Sequence, residues 1–181
     1  GKDPPHPRHG RPGTRGARGI PLGRDHRQPN GPDGRPKGGF KGYDAGKRIH
    51  GRKRHILTDT DGRLLTVEVH GADVQDRDGA KAVLKRSRRV FPFVERVFAD
   101  GGYAGKLVTW AEDKAHIAIE VVRRLPFMTG FVVLRRRWVV ERTFAWIMKC
   151  RRLVRDYEQL AGVVETLITI AASATLIRRW P

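Results

Sequence analysis

The chain changes character near residue 40, and that break confines any folded core to the residues beyond it. Residues 1–40 hold 10 of the 21 glycines and 8 of the 11 prolines, with only Ala17, Ile20, Leu22 and Phe40 from the hydrophobic set. Such a segment cannot bury enough apolar surface to offset the entropy of ordering it. Two units are expected: a Gly/Pro/Arg-rich tail over 1–40 with no fold of its own, and a folded domain over 41–181.

Within the domain the periodicity alternates between strand and helix. Residues 54–60 and 64–70 read as two strands joined by Asp61-Gly62, a dipeptide that favours a hairpin turn. Asp76 or Asp78 can cap a helix running to about Arg89, with Ala80, Val83 and Leu84 at helical spacing. Residues 94–99 read as a short buried strand, 106–115 as a helix and 117–122 as a strand. A loop through Pro126, Thr129 and Gly130 precedes a long helical tail. Trp138, Trp146 and the stripe Leu160, Val163, Val164, Leu167, Ile168 and Ala171 are expected in the core.

A formal net charge of +18 over 181 residues points to a polyanionic partner, for which nucleic acid is the default. Lys47, Arg48, Arg52, Lys53, Arg54 and His55 lead into the hairpin, and Lys149, Arg151, Arg152 and Arg155 come after the later helix, so both clusters are expected to contact phosphate. Cys150 is the single cysteine, so no intramolecular disulfide can form and a cytoplasmic, nucleoid-associated location is expected. The longest apolar stretch, 160–177, is interrupted by Glu165, Thr166, Thr169 and Ser173, so no membrane span is expected. No phosphate-binding loop, paired Cys-x-x-Cys, nucleophile elbow or zinc-type spacing occurs. His50, His55, His70 and His116 are scattered, and His70 at a strand end reads as packed or solvated.

Two carboxylates stand out. Asp100 closes the apolar run Val97-Phe98-Ala99 at a Gly-Gly turn, where glycine permits close approach to a phosphate. Glu141 lies in an arginine-rich helical segment, four residues after Arg137 on the same face. Taken alone, Asp100 is a turn residue and Glu141 a surface ion-pair partner of Arg137. In context, the stretches 98–105 and 137–146 resemble the second and third catalytic blocks of DDE transposases of bacterial insertion sequences, with the insertion-sequence-five group the nearest match. The resemblance also takes in Gly42-Tyr43-Asp44-Ala45-Gly46-Lys47 and Val74-Gln75-Asp76-Arg77-Asp78-Gly79-Ala80, and spans about 40–180.

That resemblance implies a ribonuclease H-like α/β domain, a mixed sheet flanked by helices, lacking its first strand. It implies Asp100 and Glu141 as catalytic ligands of Mg²⁺, with Mn²⁺ as a substitute, and Arg137, Arg142 and Lys149 near DNA. Double-stranded DNA at insertion-sequence ends and target is the implied partner, in a homo-oligomer and without a membrane. Tyr103 is read as a packing residue beside the site. The family's further basic residue falls where this chain has Met148, with Lys149 one place later. The first catalytic Asp belongs in an Asp-Ser-Gln motif upstream of Ile49-His50-Gly51-Arg52-Lys53-Arg54-His55, and none is present. Codons permitted for Asp25–Gly34, read one nucleotide on, encode Ile-Ile-Asp-Ser-Gln-Thr-Val-Arg-Thr. The tail is therefore read as out-of-frame translation and the chain as inactive alone, rescue by Asp59 or Asp61 being disfavoured. The rival reading is a non-catalytic DNA-binding remnant that inhibits an intact enzyme.

Overall fold

Every side chain of one strand, residues 52–58, is buried, and the rest of the fold is arranged around it. The computed structural model describes residues 23–27, 42–122 and 137–179. In chain order these form β1 (Gly23–Arg27), β2 (Gly42–Asp44), β3 (Ile49–Thr58), β4 (Leu64–Gly71), α1 (Asp76–Val90), β5 (Arg96–Ala99), a 3₁₀ turn (Gly101–Tyr103), α2 (Lys106–Ala115), β6 (Ala118–Val121), α3 (Arg137–Ile147), α4 (Arg151–Val154) and α5 (Ala161–Arg178). The hairpin, α1, α2 and the strand before each loop lie where the sequence places them. The loop expected through Pro126 to Gly130 lies outside the described residues.

β3 pairs antiparallel with β1, β2 and β4, and β5 pairs parallel with β6. Against the expectation of a missing first strand, β1 lies along β3 in the register Asp25 to Arg54 and Arg27 to Arg52. Strand pairing satisfies backbone donors and acceptors whatever the side chains, so a segment too polar to build a core can still line a sheet edge. The hairpin connection is longer than a two-residue turn: Asp59 Oδ1 accepts from the Asp61 and Arg63 amides at 2.8 Å each. Asp59, rather than Asp61, therefore organises that loop.

Successive residues of a strand face opposite sides, and β3 uses both. Leu57 joins Val83, Leu84, Val97, Leu107 and Ile117 in a core beneath α1, α2 and β5. Ile56 joins Val67, Val69, Val140, Leu153 and Ile168 in a second core beneath α3, α4 and α5. The expected long helical tail is broken into three by turns at 148–150 and 155–160. α5 is long and apolar enough to cross a membrane by length and composition, yet it packs on β4. Glu165 ties it there, accepting from Val69 N at 3.0 Å and pairing with Arg86 at 3.3 Å. Within the expected stripe Val164 and Ile168 are buried in the second core, whereas Leu160 and Val163 are exposed.

A histidine pair fixes how α1 meets the sheet. His55 and His70 stack at 4.7 Å, and a Cβ on Gly79 would fall 2.1 Å from His70 Nε2 and 2.8 Å from His55 Nε2. Alanine normally gains about 1 kcal/mol over glycine in a helix. At residue 79 the sign should invert, with Gly79→Ala losing about 1–3 kcal/mol through overpacking, measured by urea unfolding. Burial holds the His70 imidazole below its ordinary value of 6.5, and the Lys53 charge acts the same way against the hydrogen bond to Gly71 O. Since the unfolded chain then binds the proton more readily, this contribution is complete above about pH 6.5 and is lost as pH falls through the depressed folded value. The stability difference between the wild type and His70→Asn should shrink between pH 7.5 and pH 5.5 in urea titrations; a constant difference would exclude the linkage.

Candidate active site

The residues singled out at the ends of β5 and in α3 are positioned by local chemistry. Asp100 follows β5 with extended backbone angles, and its Oδ1 accepts from Gly102 N at 2.9 Å, so the carboxylate caps the 3₁₀ turn that carries it. Tyr103 closes that turn, buried in the core and 3.1 Å from His55 Nδ1 through its hydroxyl. The expected packing role therefore comes with a polar anchor. The ring and its hydrogen bond fix the turn from beneath, while Gly101 and Gly102 are exposed on its outer side.

A second acid meets this turn. A Cβ on Gly102 would lie 3.1 Å from Asp100 Oδ1 and 4.0 Å from Asp76 Oδ2, so the two carboxylates flank one glycine. The sequence suggests Asp76 as a helix cap; instead Gln75 takes the cap position without a side-chain bond, and Asp76 opens α1. Its other oxygen lies 3.4 Å from Lys53 Nζ, which also meets Asp44 Oδ2 at 3.2 Å and donates to Val74 O at 2.8 Å. Lys53 is thus a buried ammonium bridging β2, α1 and the loop before α1. The sequence carries one trace of this, since Asp44 and Asp76 both fall in motifs that accompany the carboxylate blocks.

Glu141 is exposed on α3, whose opposite side buries Val140, Thr143 and Ile147. That helix is seated on the hairpin loop. Gly62 has φ +86°, and a Cβ there would fall 2.8 Å from Thr143 Oγ1 and 3.2 Å from Trp146. Thr143 Oγ1 lies 3.0 Å from Gly62 O, and Arg142 Nη2 donates to Asp61 O at 2.9 Å. The Arg142 guanidinium sits 4.2 Å from the Trp138 ring centre and 4.6 Å from that of Trp146. Trp138, at 39% exposure, and the half-buried Trp146 are therefore not core residues. They stand one turn either side of Arg142 and hold it. Among the described residues no three His, Cys, Asp or Glu side chains converge as metal ligands.

The basic clusters divide. Arg52, Lys53, Arg54 and His55 are at most 5% exposed and form no open phosphate-binding surface. Arg52 pairs with Asp156 at 3.3 Å and donates to Gln159 O, and Arg54 donates to Leu153 O at 2.8 Å. In a strand paired on both edges and covered on both faces, every side chain is enclosed, so charge there must be met inside the protein. Lys47, Arg48, Lys149, Arg151 and Arg152 are exposed. Arg152 is tied to Glu158 at 2.7 Å. Arg137 opens α3, and its side chain lies outside the described residues. α3 ends at Ile147, so Lys149 stands on a turn rather than on the helix face.

Comparison with known proteins adds three findings. A family model of the transposase DDE domain matches residues 14–176. A protein of Burkholderia cepacia, assigned as a transposase for insertion sequence element IS402, is 33% identical over 138 residues. That match covers 72% of this chain, and the chain spans 64% of that relative's length. Among solved structures, the catalytic core domain of BIV integrase is similar with a TM-score of 0.51 and 13% identity, covering 92% of this chain and 88% of that one. The HTLV-2 integrase core, solved in complex with magnesium in a dimeric form, gives a TM-score of 0.48 at 13% identity, covering 84% and 83%. At 13% identity the likeness to the BIV integrase core concerns the fold, which is ribonuclease H-like.

The Lys53 bridge is open to test. Lys53→Met leaves Asp44 and Asp76 facing one another without this cation and should cost on the order of 3 kcal/mol at pH 7. Thermal unfolding at pH 7 reads the loss, and an unchanged transition would remove the charge argument.

Proposed function

The chain belongs to the transposase DDE-domain family, and from that membership we propose that it is the catalytic part of an insertion-sequence transposase, cutting DNA at the element ends and joining a 3′-hydroxyl to target DNA. The observation that carries the reading is Asp100, presented beyond the end of β5 on a turn it caps itself, with Asp76 at its side. Asp100 and Glu141 would hold Mg²⁺, or Mn²⁺ in its place, since oxygen-only donors suit hard cations. When bound, the metal supplies Lewis acidity to the attacking and leaving oxygens of an in-line displacement at phosphorus. The chain's own part is positional. The Gly102 amide orients the Asp100 carboxylate, Tyr103 anchors its turn, and the Gly62 seat fixes the helix that carries Glu141.

Exposed Lys47, Arg48, Lys149, Arg151 and Arg152, with Arg137 and Arg142, are assigned to the phosphates of double-stranded element ends and target. Assembly as a homo-oligomer at the nucleoid in the cytoplasm follows from the same reading. The missing first Asp is assigned to the other reading frame. There the Asp codon of the Asp-Ser-Gln motif overlaps the codons of Arg27 and Gln28, at the end of β1, so restoring the frame would put a carboxylate at the end of the strand beside β3.

The test compares the present chain with one carrying the restored frame, on terminal-repeat DNA. Strand transfer with Mg²⁺ is expected only from the restored chain, falling about a thousandfold in Asp100→Asn and in Glu141→Gln. Chelation should stop transfer and leave DNA affinity within about twofold, while raising salt weakens that affinity. Full activity in Asp100→Asn would sink the metal-ligand assignment, and full activity in the present chain would sink the out-of-frame reading.

A further inference from the structure

The C-terminal ends of α3 and α5 enclose a groove of about 440 Å³ that the proposed chemistry does not use. Its floor is apolar, built from Leu167, Ile170, Ala171 and Ala174 of α5. Its rim is cationic, with Lys149 on one side and Arg178 and Arg179 on the other, and among the described residues no acidic side chain lines it. Thr166, Thr169 and Ser173 give α5 one polar side, yet apolar residues beside it stay open, Ile170 at 58% and Ile177 at 73% exposure. A helix left in that condition marks a surface that something covers. Trp146 forms one wall, with the Arg142 guanidinium 4.6 Å and the Arg179 guanidinium 4.1 Å from its ring centre. The two cations crowd one another, since burial and the Arg179 charge both weaken the Arg142 hold on its proton. An anion near Arg179 would relieve that repulsion.

A ligand suited to this groove combines a flat apolar body with negative charge close by. Paired DNA offers phosphates, but stacking hides the faces of its bases. An unpaired nucleotide offers both. The location fits as well. Trp146 follows Glu141 by five residues, about 8 Å along the α3 axis, and Lys149 stands on the turn just beyond the end of that helix. We propose that this groove holds unpaired nucleotides next to the cut end of the DNA, with a base on the Leu167 and Ile170 floor and its phosphate on Lys149, Arg178 and Arg179. The identity of the strand as DNA rests on the transposase reading; the groove, and the unpaired state of its occupant, are additional to it.

Cys150 makes the test direct, because it is exposed, lines the groove and is the chain's single cysteine. The probe is a DNA duplex carrying a disulfide-activated tether on one base, placed either in a short unpaired end or within a fully paired stretch, without divalent metal. Cross-linking to the wild-type chain is expected to be about tenfold faster from the unpaired base and absent in Cys150→Ser. Ile170→Glu, at an exposed position that the fold tolerates, should slow it by a similar factor while duplex affinity stays within about twofold. Equal rates from both probes, or an Ile170→Glu variant that cross-links normally, would overturn the groove assignment alone. So would a solution dimer that Ile170→Glu dissociates in step with lost cross-linking, which would give the groove to a second copy of the chain. No binding to either DNA would overturn the transposase reading as well.

Discussion

The fold depends on enclosing a run of basic side chains in its central strand. Arg52, Lys53, Arg54 and His55 alternate across β3, two to each face, and none can reach bulk water. A buried cation without a partner costs several kcal/mol, so each face must bring oxygen or aromatic groups to it. On one face Asp156 and the carbonyls of Leu153 and Gln159 answer the arginines, which fixes α4 and the start of α5. On the other face Asp44, Asp76 and Val74 O answer the lysine, and Tyr103 answers the histidine. The same strand thereby sets the distance between the helical tail and the turn that carries Asp100.

Close backbone approach completes the arrangement at two glycines. Gly62, already in a left-handed conformation that favours glycine, also leaves the space into which Thr143 and Trp146 pack, so the loop that closes the hairpin is the seat of the Glu141 helix. Gly79 leaves the space for two stacked imidazoles between α1 and the sheet. Both contacts are made by the absence of a side chain. Neither could be drawn from a pattern of residue types, because the group that meets each glycine comes from a distant part of the chain.

Much of the architecture is legible in the sequence because it obeys local rules. The hairpin about Asp61-Gly62, the amphipathic α1, and the short apolar strand ending at Asp100 are written in periodicity and turn chemistry, and the structure has them. The basic run departs from its expected exposure for a physical reason. Charge predicts solvent exposure only where a strand has an open face or edge, and β3 has neither over residues 52–56, where β1 and β4 flank it and helices cover it. Trp138 and Trp146 depart in the opposite sense, since a large aromatic ring can be held by a guanidinium at the surface instead of by the core. The approach of Asp76 to Asp100 is invisible in the sequence because a first-turn acid and a strand-end acid meet only when α1 lies across the sheet.

By itself the sequence determined the family to which the chain belongs, the compositional break near residue 40 and the order of strands and helices from β3 to β6. All of these depend on residue type and spacing along the chain. Tertiary structure alone decided which charges are buried and which are exposed, which acid stands beside Asp100, and that the apolar side of α5 leaves a cationic groove against α3. Those depend on distances between residues far apart in sequence. Such distances are set by how the helices settle on the two faces of β3, where the need to match each buried charge leaves few arrangements open.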